Sequence, residues 1–433
     1  MPDGSDTLAL SSLARGNAVI GQSGGPTAVI NQSLVGVIEG LRMGLVATGH
    51  VNKILGMRHG VQGLVKGDLF DLSSLHQDRL DALALTPSAG LGSTRDKPNT
   101  AYCERVLEAC KQQNARYFFY IGGNDSSDTC RIISEMALST GYDMRCFHVP
   151  KTVDNDLMES DHTPGFPSAA RFVAMACMAD FMDNISLPGI KINVVMGRHA
   201  GFLTAASALA RRHDRDLHEA ADHSTDGPQL IYCPETPFDM DRFVTDVEAI
   251  YRVKGRCHLV VSEGISDAQG KPIGAKLIKN AQVDAHGNVQ LSGSGALGDQ
   301  LGDYLKEKLT PVGGKPPRVR ADTFGYVQRC WPDSSIIDRI EARRSGRFAA
   351  ALALRGETSG SVAIVRTGSG SLAYAGSSGQ AYASDYKRVE LSAVAAKTRH
   401  MPAEFLSGHN NVSRKFIEYC LPLVGDLPGF ERL

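Results

Sequence analysis

The densest group of reactive side chains lies in PKTVDNDL, where Lys151, Thr152, Asp154, Asn155 and Asp156 share one short stretch after an apolar run. A lysine and two aspartates this close supply the parts for moving a phosphoryl group. The lysine is a cation for the phosphate, one carboxylate can take a hydroxyl proton, and the other can hold a metal ion. An Asx-rich turn carrying solvated charges would have the same composition. Gly24 and Gly25, in GQSGGPT, put bare backbone N–H groups ahead of a helix, where an anion is attracted. A tight strand-to-helix turn with no ligand reads the same way. GGNDS, at 122–126, repeats the pattern around Gly123 and adds Asn124 and Asp125. Phosphate and carboxylate share a loop only when a cation neutralises them, which points to magnesium held by carboxylate, phosphate oxygens and water. Asp125 is read as part of that chemistry, and Asp128 as an acid that complements the following helix.

Four arginines stand beside glycine turns or strand ends: Arg95 in LGSTRDK, Arg198 in MGRHAG, Arg320, and Arg329 in GYVQR. A surface arginine is usually only solvated, but a guanidinium is also the group best suited to bridging phosphate oxygens. HEAADH does not make a zinc site, because His218 and His223 are five residues apart and a helix would not aim both at one metal. His213, His218 and His223 read as an exposed polar segment, and the spacing of Met175, Met178 and Met182 as core packing on a helix.

These loops need elements to hold them. NAVIGQSGGPTAVINQSLVGVIEGLR runs strand, glycine turn and amphipathic helix, with Val29, Ile30, Leu34, Val37 and Ile38 at helical spacing. A second unit follows in RYFFYIGGNDSSDTCRIISEMAL, and a third strand, Met144–Val149, runs into the lysine–aspartate loop. Three strands thus end in polar loops, where open parallel sheets place ligands. A second series comprises a helix over 169–182, the strand KINVVMGRHAG, a helix over 202–210, the strand QLIYCPE, a helix over 238–253 and the strand CHLVVSEG. Residues 282–298 are glycine-rich and are expected to form a hairpin insertion or loop, and VGGKPPRV a turn or crossover. At least one more strand is expected in VAIVRTGSGSLAYAGS.

At 433 residues the chain is long enough for two or three lobes. With 46 basic against 47 acidic residues it carries no global field to recruit nucleic acid or a membrane surface, so phosphate affinity must be local. Nine cysteines, odd in number and never spaced CxxC, argue against a disulfide framework or a zinc site. No run reaches membrane-spanning length and the start shows no basic leader, so a cytoplasmic location is expected.

In order, GGPTAVIN, LGSTR, GGNDS, PKTVDND, MGRHAG, PE, SEG and RADTFGYVQR resemble the phosphofructokinase family over roughly residues 17–380. The lysine of PKT points to its pyrophosphate-dependent members. The resemblance implies an α/β fold of two Rossmann-like, three-layer lobes with mostly parallel sheets and a cleft between them. It implies a donor lobe at 17–165 plus about 328–380 and a sugar-phosphate lobe at 166–327. Residues 1–16 are expected to be a flexible start and 381–433 a peripheral helical segment.

The resemblance also implies reversible phosphorylation of fructose 6-phosphate at its 1-hydroxyl. Asp154 would be the general base, with Lys151, Arg198 and Thr152 assisting catalysis. Thr152, Asp156, Met196, Gly197, Arg198, Glu235, Tyr326 and Arg329 would bind the sugar phosphate. Arg320 would reach its 6-phosphate from a neighbouring subunit of a homodimer or homotetramer. Gly25, Arg95, Gly123, Asn124, Asp125 and Lys151 would face the donor. Asp154 and Asp156 would hold magnesium, with Asn124 and Asp125 as weaker contributors, since Asn124 stands where many relatives carry an aspartate. ATP-using relatives have glycine at the positions of Asp125 and Lys151, so pyrophosphate is expected as donor over ATP. A noncatalytic phosphate-sensing subunit is the remaining alternative. Pro26 replaces an acid frequent in ATP enzymes, and the arginine that often precedes MGR is missing, with Lys191 the nearest cation.

Overall fold

The computed structural model describes residues 13–97, 99–211, 226–277, 296–368 and 382–430. The expected histidine segment at 213–223 and all but the last residues of the expected 282–298 insertion lie outside them, as do residues 1–12 of the expected flexible start. Ala296, instead of closing a loop, opens a helix that runs to Leu309. The described chain divides into two compact units, residues 1–168 with 329–399, and residues 169–328 with 400–433.

The first unit is built on seven strands: β1 (Gly16–Gln22), β2 (Val51–Met57), β3 (Leu69–Asp71), β4 (Ala115–Gly122), β5 (Arg145–Pro150), and later in the chain Ser359–Gly368 and Ala383–Val389. Between β5 and the last two lie β6 (Ile190–Val195), β7 (Leu230–Tyr232), β8 (Cys257–Ser262) and β9 (Val319–Thr323) of the second unit, so those two are β10 and β11. Spatial order in the first sheet is β11-β10-β5-β4-β1-β2-β3. The central pairs are parallel, and only β10–β11 and β2–β3 run antiparallel.

The central strands are covered on both faces, and this is why they read as unbroken apolar runs. Ile20, Phe119, Ile121, Phe147 and Val149 pack with helix Ile30–Leu41 and with the alanines of helix Ile336–Leu354. Their neighbours Val19, Phe118, Tyr120 and Cys146 pack with residues of helices Thr100–Gln112 and Asn124–Ser139. The alternation along each strand assigns successive side chains to opposite layers.

Helices Ile30–Leu41 and Ile336–Leu354 approach through glycine. A Cβ on Gly346 would sit 2.2 Å from the Ser33 carbonyl oxygen, and one on Gly36 2.0 Å from that of Arg343. Neither helix backbone can yield without separating the pair. Gly346→Ala should therefore lower stability by about 1–3 kcal/mol, seen as a lower urea midpoint; an unchanged midpoint would show that the contact relaxes freely.

In the second unit the parallel order is β7-β8-β6-β9. Ile190, Ile192, Val194, Leu259, Val261 and Leu301 lie in its core.

Two expectations about packing are corrected. The segment 381–433 is neither uniformly helical nor peripheral. Residues Ala383–Val389 form β11 against β10, and Phe416, Cys420, Leu423 and Val424 of helix Arg414–Val424 are fully buried in the second unit. The spacing of Phe416, Tyr419, Cys420 and Leu423 is that of an apolar helix stripe. On helix Phe166–Ser186 the buried face is Ala170, Val173, Ala174, Cys177 and Phe181, whereas Met175, Met178 and Met182 are only half-buried. Ala170, Val173, Ala174, Cys177 and Phe181 carry that packing, and the methionines do not. Among the described residues no helix is long and apolar enough to cross a membrane.

Candidate active site

In the first unit β5, β4 and β1 are adjacent and parallel, with Gln22 level with Ile121 and Gly122 level with Pro150. Their C-terminal ends therefore deliver GGPT, GGNDS and PKTVDND side by side. Gly24 has φ +74°, in the left-handed region that disfavours a side chain. Its N–H donates to the Thr94 carbonyl (2.8 Å) and its carbonyl accepts from Ser93 Oγ (2.6 Å), so the loop carrying exposed Arg95 is tied to the glycine turn.

Two cations rest on that turn. Lys151 Nζ donates to the Gly25 carbonyl at 2.7 Å. A Cβ on Gly24 would meet Lys151 Nζ at 3.1 Å, and one on Gly25 would meet Arg329 Cζ at 3.2 Å. Lys151 is 3% exposed. Burial, with the Arg329 guanidinium beside it, brings its pKa down to about 8 despite the opposing pull of Asp154 and Asp156. A buried ammonium with arginines as neighbours is an arrangement that favours a compact polyanion. Next to it, helix Asn124–Ser139 begins after Gly123 with no side-chain cap, leaving its first N–H groups to an anion. Asp125 is exposed in that first turn.

The carboxylates are fixed from beneath. Asn155, fully buried at φ +58°, accepts from the Thr163 N–H through Oδ1 (3.0 Å). Thr163 Oγ1 donates to the Thr152 carbonyl (2.9 Å), Thr152 N–H to the Pro164 carbonyl (3.1 Å), and Arg399 N–H to the Asp156 carbonyl (2.8 Å). Asp154 and Asp156 thus flank a residue locked in the left-handed region, and the Asp154 N–H donates to Thr152 Oγ1 (3.1 Å). Burial and the charge of Asp154 together raise the pKa of Asp156. Asn124 Nδ2 donates to Asp156 Oδ2 (3.0 Å), while its Oδ1 is buried with no hydrogen-bond partner. An orphaned oxygen beside the Asp156 carboxylate fits a magnesium ion, which takes few protein ligands alongside phosphate and water.

The second unit gathers another set. β6 runs into Met196 and Gly197, both buried, and half-buried Arg198. Ser262 Oγ donates to the Gly197 carbonyl (2.6 Å), joining the SEG loop to MGRHAG. Glu235 Oε1 accepts from the N–H groups of Gly201 (2.7 Å) and Met401 (3.1 Å), whereas Oε2 is buried without a partner. Burial raises the Glu235 pKa. A carboxylate oxygen held this way is an acceptor suited to a sugar hydroxyl. Tyr326 is exposed in the short helix Gly325–Arg329. Arg320 Nη1, on β9, pairs with Asp183 (2.9 Å). Lys191 is buried and paired with both Asp180 and Asp322, so its charge is already matched and it does not stand in for the arginine missing before MGR.

The family model for phosphofructokinase matches residues 17–353. The chain belongs to the phosphofructokinase family. It is 49% identical to the pyrophosphate–fructose 6-phosphate 1-phosphotransferase of Rhodospirillum rubrum, over 97% of each chain. It is 33% identical to the enzyme of the same name from Methylococcus capsulatus, over 97% of this chain and 96% of that one. The crystal structure of a pyrophosphate-dependent phosphofructokinase from Nitrosospira multiformis superposes with a TM-score of 0.78 at 32% identity, covering 96% and 94% of the two chains.

The α/β class with mostly parallel sheets agrees with that likeness. Within the first unit of this phosphofructokinase, Gly24, Gly25, Lys151, Arg329, Asn124 and Asp156 come together. Arg329, assigned to the sugar from the sequence, lies against Gly25 of the glycine turn. Residues that hold the loops were missed. Asp338 accepts from the N–H groups of Gly165 (2.9 Å) and Ser168 (3.1 Å), and Arg399 anchors Asp156. Both lie far along the chain from the loop they support and belong to no motif, so spacing could not reveal them.

Proposed function

We propose that this phosphofructokinase transfers a phosphoryl group reversibly from pyrophosphate to the 1-hydroxyl of fructose 6-phosphate, giving fructose 1,6-bisphosphate and phosphate. The observation that carries the donor choice is buried Lys151, bonded to the Gly25 carbonyl and lying against Gly24 where ATP-using relatives have glycine. A side chain there occupies the space that a nucleotide would need, and its charge suits a small donor of high charge density. The names of the Rhodospirillum and Methylococcus relatives agree.

In this reading Asp154 takes the proton from the sugar 1-hydroxyl as the oxygen attacks phosphorus. Lys151 and Arg198 stabilise charge on the transferring phosphate, with Thr152 beside them. Gly25, Arg95, Gly123, Asn124 and Asp125 bind pyrophosphate. Asp156, Met196, Gly197, Glu235, Tyr326 and Arg329 bind the sugar phosphate, and Arg320 serves the site of a neighbouring copy in a homodimer or homotetramer. Magnesium, when bound, neutralises phosphate charge. Asp154 and Asp156 would hold it, with the orphaned Asn124 oxygen as a further donor. A cytoplasmic setting fits a chain with no balance of charge toward membranes or nucleic acid.

The direct test is a coupled assay with magnesium and each donor in turn. Fructose 1,6-bisphosphate should form with pyrophosphate at a rate at least about a hundredfold above that with ATP; turnover with ATP and none with pyrophosphate would overturn the donor assignment.

A further inference from the structure

The segment from Ser160 to Gly165 supports the Thr152–Asp156 loop through Thr163 and Pro164, and one residue of it is buried in an ionic cluster that the reaction as described does not use. His162 is fully buried. Its Nδ1 lies 2.8 Å from Asp161 Oδ1 and its Nε2 2.5 Å from Glu341 Oε2. With a carboxylate at each ring nitrogen, both nitrogens act as donors, which is the hydrogen-bonding pattern of an imidazolium. The surrounding elements complete the set. Arg366 on β10 pairs with Asp161 (3.0 Å), the Tyr382 hydroxyl donates to Glu341 (2.5 Å), and Asp338 lies one helical turn before Glu341. Arg399 Nη1 donates to the carbonyls of Ser160 (2.7 Å) and Asp161 (2.6 Å), while its N–H holds the Asp156 carbonyl.

We propose that the His162 imidazolium is a positioning residue for phosphoryl transfer, clamping the Ser160–Gly165 segment to helix Ile336–Leu354 so that Asp154 and Asp156 keep their places. This rests on the functional reading above. Thr163, the next residue, makes the two hydrogen bonds that fix Asn155 and Thr152. A shift of His162 therefore reaches the loop that carries the reactive carboxylates through one peptide unit and the two Thr163 hydrogen bonds, and errors of about 1 Å in such geometry cost up to about a hundredfold in rate.

Burial alone would drive the proton off His162. The Glu341 charge and the bonds to both carboxylates outweigh that and raise its pKa to about 9. Because the folded value lies above the ordinary histidine value, the imidazolium and the clamp persist through neutral pH and are lost as pH rises through about 9.

The test is kcat across pH 7–10.5 at saturating pyrophosphate, whose charge opposes deprotonation of Lys151. For the native chain kcat should fall above about pH 9. In His162→Gln it should be about ten- to a hundredfold lower at pH 7.5 and flat through that range. A merely structural role would lower the active fraction and leave the pH profile in place. Nitrogen-15 spectra of the native chain should show a histidine with both ring nitrogens protonated at pH 7.5, titrating at lower pH in Glu341→Gln. Native kcat values in a folded His162→Gln, an unchanged alkaline limb, or a His162 neutral at pH 7.5 would each overturn the proposal. The last measurement decides it even if His162→Gln does not fold. Absence of turnover by the native chain with pyrophosphate would instead remove the functional reading.

Discussion

Asp154→Ala is expected to lower kcat for phosphorylation of fructose 6-phosphate by about 10²- to 10⁴-fold, the range supplied by a positioned general base. Sugar-phosphate binding should stay within a few-fold of native, because the residues assigned to it, Met196, Gly197 and Glu235 among them, do not include Asp154. The loop itself should survive the change: Asn155, Thr152 and Asp156 are held by Thr163, Pro164 and Arg399 through bonds that do not involve the Asp154 carboxylate. Asp156 would meanwhile lose the like charge that contributes to its raised pKa, so its pKa should fall in the variant. Equilibrium binding of fructose 6-phosphate, measured beside single-turnover rates, separates the two effects. Native turnover in Asp154→Ala would remove this residue from proton transfer.

Lys151→Gly should act on the donor alone. Removing a buried cation from its anion costs about 2–4 kcal/mol, or about 30- to 1,000-fold in kcat/KM for pyrophosphate. Activity with ATP should not fall, because glycine is the residue that ATP-using relatives carry there. The buried position of Lys151 adds a pH signature. With its pKa lowered to about 8, the lysine of the donor-free protein loses its charge as pH rises through that value, so the KM for pyrophosphate should climb above about pH 8. The climb should be absent in Lys151→Gly. Equal, modest changes with both donors, and an unaltered pH dependence, would return Lys151 to the status of a structural charge.

The reactive loops were legible because each is local. A strand that ends in GGPT, GGNDS or PKTVDND announces its own turn, and parallel neighbours bring such ends together whatever their separation in the chain. The same locality made the buried strands readable, since residues covered on both faces must be apolar. The errors arose where packing overrides pattern. Methionines at helical spacing looked like core, yet Ala174, Cys177 and Phe181 fill it. The end of the chain looked peripheral, although its strand closes one sheet edge and Phe416 and Cys420 are fully buried.

For the lysine–aspartate loop, residue types alone determined which groups are available: an ammonium, two carboxylates and a polar residue between them. Tertiary structure decided their condition. Lys151 is an easily deprotonated cation because it is buried near Arg329, whereas Lys191, on β6, is neutralised by Asp180 and Asp322. His162 carries charge because Glu341, 179 residues away in the chain, meets its ring. Burial and long-range pairing set the free energy of each charge, and neither is written in the order of neighbouring residues.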